Sequence, residues 1–308
     1  MSDYVPHRPV LYNEIIHALQ PRENGLYVDG TVGMGGHAFG ILKASHPDGC
    51  LLGLDVDPQA LMLARERLAP FGKRAILYQA SFANLREHLD NLEWGQVDGI
   101  LLDLGVSSLQ LDRSERGFSF QSDGPLDMRF DPTNPVQAAD LVNNLSEDEL
   151  AKLLFEYGEE RRSRQIARAI VHARPIYRTS ELADIVARNT DKLYRRIHPA
   201  TRTFQALRIA VNKELDNIKS ALPQTVDSLK PGGRLAVIAF HSLEDRIVKH
   251  FLRNESKDCI CPPKLPQCNC GHIAKIKEIN RRPIRPSETE VKQNPRSRSA
   301  CLRVAEKI

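Results

Sequence analysis

Nowhere in the 308-residue sequence does an apolar run approach the roughly 20 residues that a helix needs to cross a bilayer. The opening Met1-Ser-Asp-Tyr4 also lacks the apolar region of a signal peptide. Both absences lead to the expectation of a cytoplasmic protein with no membrane anchor. The strict G-x-G-x-x-G spacing of dinucleotide-binding loops is missing, as is any C-x-x-C pair. A strong overall charge is missing too, the formal net being +4. With 41% hydrophobic and 27% charged residues, the composition is that of an ordinary globular protein with enough chain for one large or two smaller domains.

What is present begins with Leu26-Tyr-Val-Asp-Gly-Thr-Val-Gly-Met-Gly-Gly-His37, a short apolar strand running into glycines and then into a helix. Such a turn lets a ligand lie on main-chain N–H groups. A dinucleotide would bring a pyrophosphate to the helix N-terminus. S-adenosylmethionine (SAM) has no phosphate and instead needs a carboxylate for its ammonium. Asp29, just before the turn, suits a cation better than a pyrophosphate. By itself the turn is a weak signal that favours SAM, then a nucleotide, over a purely structural role.

Strands and helices then alternate. Leu11, Ile15, Ile16 and Leu19 predict a short helix stopped by Pro21, and His37 to Ser45 a crossover helix. Cys50 to Asp55 reads as a second strand ending in an acid, a position from which a carboxylate accepts ribose hydroxyls. A helix opening at Pro58 leads to a third strand, Ala75 to Tyr78, and then to Phe82, an adenine-packing side chain or a core residue. Val97 to Asp103 is a fourth, continuously apolar strand of the kind covered on both faces. Asp103 at its carboxyl end faces the crevice, unless it caps the following turn.

From about Leu111 the alternation stops. A long loop rich in turn residues and aromatics (Gly117-Phe-Ser-Phe120, Gly124 to Phe130) precedes three expected helices, the first opened by a Ser146–Glu149 capping box. The second turns Ile166, Ala169, Ile170 and Ala173 inward, leaving Arg161, Arg162, Arg164 and Arg168 outward. A long helix from about His198 keeps an apolar stripe from Phe204 to Leu222 beside a polar one of Arg202, Gln205, Arg208 and Asn212. That polar stripe suits either solvent or nucleic acid. Lys230-Pro-Gly-Gly233 should turn into a fifth strand, Leu235 to Phe240, with His241 at the crevice, Ser242 capping the next helix and Asp245 at its third position.

Charge is unevenly spread. Residues 158–213 carry 13 Lys/Arg against 5 Asp/Glu, and residues 271–308 carry 10 against 4. Two basic segments on an acidic body fit a polyanion such as nucleic acid, although solvated helix faces and a polar tail would look the same. Cys259, Cys261, Cys268 and Cys270 crowd into 12 residues ahead of His272. In a cytoplasmic chain they favour a metal knuckle, with structural zinc the candidate, over disulfides. Ser299 to Val304 closes the chain as a strand, expected to be antiparallel and to complete a seven-stranded sheet.

An acid and glycine turn after strand one, an acid after strand two, an aromatic after strand three and an acid after strand four together resemble the Rossmann-like SAM-dependent methyltransferases. Longer strings narrow the likeness: Asp29 to His37, Leu102-Asp-Leu-Gly-Val-Ser-Ser108, Glu115-Arg-Gly-Phe-Ser-Phe120, Gly124-Pro-Leu-Asp-Met-Arg129, His198-Pro-Ala-Thr-Arg-Thr-Phe-Gln205 and Phe240-His-Ser-Leu-Glu-Asp-Arg246. These are similar to the MraW family of small-subunit ribosomal RNA methyltransferases over nearly the whole chain. The resemblance implies an α/β fold with an inserted all-helical domain, here 111–205, inside a discontinuous methyltransferase domain, 1–110 with 206–308. It implies SAM contacts at Gly35, Gly36, His37, Asp55, Phe82, Asp103 and Gln110. It also implies methyl transfer to the exocyclic N4 of a cytidine in the decoding region of small-subunit ribosomal RNA. The partner would be that RNA or the small ribosomal subunit, and the protein a monomer or homodimer.

Asp103 is the first candidate for contacting the reacting amine and His241 the second, with no metal expected at either. Many amino methyltransferases place prolines and an aromatic after strand four. Asp103-Leu-Gly-Val106 lacks them, so Phe118, Phe120 and Phe240 are candidates for stacking on the base. The competing readings are methylation of another amine on DNA or protein, an NAD-dependent oxidoreductase, and a nucleic-acid-binding module with a vestigial pocket.

Overall fold

A computed structural model of the chain describes residues 9–190, 198–262 and 268–308. Residues 191–197 of the first basic segment lie outside the described residues. The chain forms two compact units, Met1–Gly105 with Leu215–Ile308, and Val106–Glu214.

The first unit opens with α1 (Tyr12–Leu19) and alternates β1 (Leu26–Asp29), α2 (Gly36–Ala44), β2 (Cys50–Asp55), α3 (Pro58–Leu68), β3 (Ala75–Gln79), α4 (Leu85–Asn91) and β4 (Val97–Asp103). Pro58 takes the first position of α3, where its missing N–H costs nothing, and the Asp57 carboxylate caps the helix by accepting the Gln59 N–H at 3.0 Å.

The second unit holds α5 (Ser108–Asp112), α6 (Ala138–Asn144), α7 (Glu147–Gly158), α8 (Ser163–Ala173), α9 (Thr179–Arg188) and α10 (Thr201–Asn212). It has its own core of Leu150, Leu154, Ile166, Ile170, Leu182 and Leu207 among others. On α8 the inward residues are Ile166, Ala167 and Ile170, whereas Ala173 is exposed. The unit runs from Val106 to Glu214 and takes in α10, which packs against α6 and α7.

The chain returns to the first unit through α11 (Glu214–Asp227), followed by β5 (Leu229–Ala239), α12 (Ser242–Glu255), β6 (Ile276–Glu278), α13 (Glu288–Gln293) and β7 (Cys301–Lys307). The single long helix expected from His198 is two, because Lys213 adopts a left-handed conformation (φ 52°) between α10 and α11.

The seven strands form one sheet in the order β3-β2-β1-β4-β5-β7-β6, with β7 antiparallel to both neighbours and the rest of the pairs parallel. Tyr27, Leu51, Leu101, Ala236, Ile238, Leu302 and Val304 share one face with side chains of α1, α2 and α3. Val28, Leu52, Ile100, Leu102 and Val237, at the alternating positions, are buried as well. Both faces are therefore covered, as the unbroken apolar run of β4 requires.

Two strand expectations change. β5 starts at Leu229, and Lys230-Pro-Gly-Gly233 is a bulge inside it, these four residues standing opposite the single residue Asp98 between Val97 and Gly99 on β4. β6 has only three residues and no alternating pattern, so no sequence signal marked it. Among the described residues, no helix is long and apolar enough to cross a membrane.

Asp245 does not cap α12. It receives a two-pronged bond from the buried Arg303 of β7, at 2.6 and 3.0 Å, which pins the helix to the antiparallel end of the sheet. Arg303→Ala is expected to lower stability by ~3 kcal/mol, read as a lower urea midpoint with unchanged slope; an unaltered midpoint would deny the pair this role.

Candidate active site

The strand order reverses at β1, with β2 and β3 to one side and β4 and β5 to the other, so the crevice lies at the carboxyl ends of β1 and β4. β1 delivers Asp29 there, and the chain turns at once: the Gly30 N–H bonds Leu101 O, and the Val32 N–H bonds Leu54 O, both at 2.9 Å. Gly35 immediately precedes α2 with φ 76°, a conformation costly for any residue with a Cβ. A Cβ on Gly36 would meet Pro9 Cγ at 2.4 Å, so that position admits only glycine while Pro9 stays in place.

Asp55 at the end of β2 is tied into the same turn. Its two oxygens accept the Gly33 N–H at 2.8 Å and the Asp57 N–H at 2.9 Å. Phe82 sits in a short turn after β3, half-buried, close enough that a Cβ on Gly30 would lie 3.0 Å from its own Cβ. Asp103 ends β4, its N–H bonding Thr31 Oγ1 at 2.6 Å.

Four carboxylates follow the strand order along these ends: Asp55 after β2, Asp29 after β1, Asp103 after β4, and Glu244 in the first turn of α12, just past β5. Burial pushes Asp29 up to about 7 despite the opposing Thr31 N–H, and the charge of Asp55 adds to the rise. Burial likewise lifts Asp55 to about 6 against the N–H groups of Asp57 and Gly33. Asp103 is raised well above the ordinary carboxylate range, first by burial and then by the negative charges of Asp29 and Glu244. Like charges in a row with little water favour either protons or a cationic ligand.

Two histidines border the row. His37 is buried in the first turn of α2, with Nε2 2.9 Å from Val10 O and Nδ1 3.5 Å from Asp103 Oδ2. A carbonyl can only accept, so Nε2 carries a proton, and in the neutral ring Nδ1 presents its lone pair toward Asp103. His241 is itself the N-cap of α12, its N–H and that of Phe240 bonding Glu244 Oε2 at 3.3 and 2.8 Å. Its Nε2 is 3.2 Å from Glu244 Oε1. The expected cap was Ser242 with Asp245 third. The cap is one residue earlier, which places the fully buried Glu244 at the site. Sequence reading missed Glu244 because histidine is not a usual N-cap, although the x-x-Glu spacing of a capping box was there. Asp103 Oδ1 is buried with no hydrogen-bond partner among the described residues.

Gly35, Gly36, His37, Asp55, Phe82, Asp103 and His241 thus belong to the first unit. Gln110 belongs to the second, where it is buried in α5 and completes a capping box: its Oε1 accepts the Ser107 N–H at 3.0 Å, and its own N–H bonds Ser107 Oγ at 3.3 Å.

Within the helical unit, several motif residues serve that unit itself. Arg116 donates to the carbonyls of Arg129 and Phe130 at 2.9 and 3.0 Å, locking the Glu115 and Gly124 strings together. The polar stripe of α10 is likewise engaged: Arg202 bonds Glu159 O, Gln205 bonds Tyr157 O, Arg208 pairs twice with Glu214, and Asn212 bonds both Met128 O and the Phe130 N–H. Phe118 is buried and stacked on Phe130, and Phe120 lies on His198, with ring centroids 5.5 and 4.4 Å apart. Phe240, in the first unit, packs beside Gly105.

A 3-2-1-4-5-7-6 sheet with an acid and glycine turn after β1 and acids after β2 and β4 defines the Rossmann-like SAM-dependent methyltransferase class. Comparison with known proteins gives the particular one: the profile of the MraW methylase family matches residues 4–308, and the chain belongs to that family. Three curated relatives each bear the name ribosomal RNA small subunit methyltransferase H. That of Syntrophus aciditrophicus is 54% identical, covering 99% of this chain and 98% of the relative. Those of Dehalococcoides mccartyi and Geotalea uraniireducens are 53% and 52% identical, each covering all of this chain and 88% and 100% of the relative respectively.

Folded Asp29 holds a proton between about pH 4 and 7 that the unfolded chain has already released, so stability falls as pH rises through that window. Asp29→Asn is expected to raise the Tm of the free protein by ~3 °C at pH 8 and by much less at pH 5. A thermal offset equal at both values would contradict the raised proton affinity.

Proposed function

We propose that this methylase transfers the methyl group of SAM to the exocyclic N4 of a cytidine in the decoding region of small-subunit ribosomal RNA, acting in the cytoplasm. The substrate is that RNA or the small subunit containing it, and the enzyme works as a monomer or homodimer. The observation that carries the choice of donor is the file of carboxylates from Asp55 to Glu244. It repels a pyrophosphate and suits a ligand bearing an ammonium and a sulfonium, which argues against the NAD reading. Acceptor and nucleotide position rest on membership of the family, whose relatives carry a small-subunit ribosomal RNA name. Leu102 to Ser108 and Phe240 to Arg246 are among the strings in which this sequence resembles the family.

SAM, when bound, supplies a methyl carbon activated for in-line displacement. Gly35, Gly36 and His37 would hold it at the start of α2, Asp55 would accept its ribose hydroxyls and Phe82 would pack on its adenine. The amine of cytosine is a poor nucleophile because its lone pair is delocalised into the ring, so the protein must orient it and take its proton. Asp103 fits both tasks: Oδ1 has no partner among the described residues, and the raised proton affinity makes the carboxylate a stronger base than a solvated one. His37 Nδ1, behind Asp103, offers the proton a second stop. His241 contributes by orienting Glu244, whose charge raises the basicity of Asp103 further.

For the RNA, Arg164 and Arg168 are exposed on α8, Arg168 beside Glu147 at 3.2 Å, and Arg161 is exposed just ahead of the helix. Arg164, Gln165, Arg168, His172 and Asn189 line an open depression of about 380 Å³, suited to backbone phosphate. The four clustered cysteines take a structural metal in this reading, with no part in the chemistry.

Radiolabelled methyl transfer to small-subunit particles, protein-free RNA and DNA, followed by nucleoside analysis, should place the label in N4-methylcytidine of the small-subunit RNA. Label at a ring carbon, or in DNA or protein alone, overturns the assignment. Asp103→Asn is expected to lower kcat at least ~100-fold. In the native enzyme the acid limb of the kcat/KM profile, which reports the free protein, should lie above the usual carboxylate range, since activity is lost as falling pH protonates Asp103. Near-normal turnover of the variant removes Asp103 from the mechanism.

A further inference from the structure

Among its described residues the connection between α12 and β6 has almost no apolar packing: Ile260 and Ile273 are exposed, at 48% and 74%, and of the four cysteines here only Cys261 is even partly covered. Small segments lacking a core are usually held by a covalent or metal staple. Yet the sulfur atoms of Cys259, Cys261, Cys268 and Cys270 converge, every one within 4.8 Å of the others. Cys268 and Cys270 are 3.6 Å apart, and Cys270 and Cys259 are 3.9 Å apart. All four are free thiols.

These distances exclude a disulfide and suit a shared metal ion. A disulfide brings sulfurs to about 2.05 Å. A tetrahedron of thiolates around one zinc, with Zn–S of about 2.3 Å, sets neighbouring sulfurs about 3.8 Å apart. An iron–sulfur cluster distributes its cysteines over several metal atoms and holds them farther from each other. The local backbone has the form that supports such a centre. In both arms the backbone N–H two residues on lies near the sulfur, that of Cys261 by Cys259 and that of His272 by Cys270, with the Ile260 N–H also near Cys270. Gly271 (φ 61°) makes the left-handed turn that brings the second arm round. Among the described residues the converging ligand atoms are the four sulfurs alone, and His272 Nε2 bonds the Asn254 carbonyl at 3.0 Å, anchoring the arm to the last turn of α12.

We propose that Cys259, Cys261, Cys268 and Cys270 bind one Zn²⁺ as a tetrathiolate, and that this ion is the staple ordering the connection between α12 and β6. Around it the Ala274 N–H bonds Asp258 Oδ1 at 3.3 Å, the Lys275 N–H bonds Glu255 O at 2.8 Å, and β6 begins at the next residue. The metal therefore sets where the edge strand of the sheet starts, and with it the path of the basic chain beyond. It builds on the structural-metal reading of the cysteines but is independent of the methyl acceptor.

The test uses the full chain, purified reduced, without SAM or RNA. Elemental analysis should give one zinc per chain, and replacement by Co²⁺ should give the intense charge-transfer and d–d absorption of a tetrahedral thiolate site. Cys259→Ser and Cys270→Ser should each weaken Co²⁺ binding at least tenfold, whereas Cys50→Ser and Cys301→Ser should leave it unchanged. Removing zinc from the native chain should open residues 256–275 to protease, and restoring it should close them. A reduced native chain that takes up neither metal, binding that survives both serine variants, iron with labile sulfide in place of zinc, or proteolysis indifferent to the metal would each overturn the proposal. Because no readout involves methyl transfer, a failure here is distinguishable from a failure of the RNA assignment.

Discussion

Four like charges lined up at the carboxyl ends of β2, β1 and β4 and at the start of α12 are the constraint around which the catalytic unit is arranged. Parallel pairing fixes the spacing of the first three, since Asp29, Asp55 and Asp103 end strands hydrogen-bonded in register. Raising Asp29 from 3.8 to about 7 corresponds to on the order of 4 kcal/mol against its ionisation. A fold does not retain such a penalty for stability, because replacing buried charge by well-packed apolar side chains is commonly neutral or better. The penalty is relieved when a cation arrives, so the free site stores part of the selectivity for its donor.

The neighbouring features follow from that row. Thr31 and the N–H groups of Gly33 and Asp57 hold the acids in place without neutralising them. His37 is oriented through Val10, which turns its basic nitrogen toward Asp103. Glu244 is held by two backbone donors at the cap of α12, so the fourth charge cannot rotate away. Arg303 performs the corresponding service on the far side of the same helix by engaging Asp245. Successive carboxylates in one helix turn thus have opposite duties, one charging the site and one fastening the helix to β7.

The helical unit shows how easily a family motif can be mistaken for a contact surface. Arg116 belongs to a string that resembles the family, Arg208 and Asn212 belong to the polar stripe of α10, and each satisfies backbone or carboxylate groups inside the unit. The long loop before α6 carries many main-chain polar groups that no helix or strand pairs, and these side chains supply their partners. Exposed cations for a polyanion are found instead on α8, whose apolar stripe of Ile166, Ala167 and Ile170 commits the opposite face to the core.

Local pattern was enough for β1 to β4, for the helices with sharp caps such as α3 and α7, and for the acids that end β1, β2 and β4, because each is signalled within a few residues by periodicity, a cap or a glycine turn. It also sufficed to single out the cysteines. Tertiary structure alone decided what depends on partners distant in the chain. The three-residue β6 exists because β7 offers it an edge, and the bulge at Lys230-Pro-Gly-Gly233 exists because β5 must match the register of β4. The break at Lys213 falls inside a continuous helical stripe, and periodicity cannot report a single left-handed residue. Glu244 reached the site through a cap shifted by one position, a choice settled by the bonds it makes to Phe240 and His241. Sequence determined which residue types stand at the strand ends; the pairing of the strands decided that their charges form a row, because electrostatic coupling depends on separation in space and not along the chain.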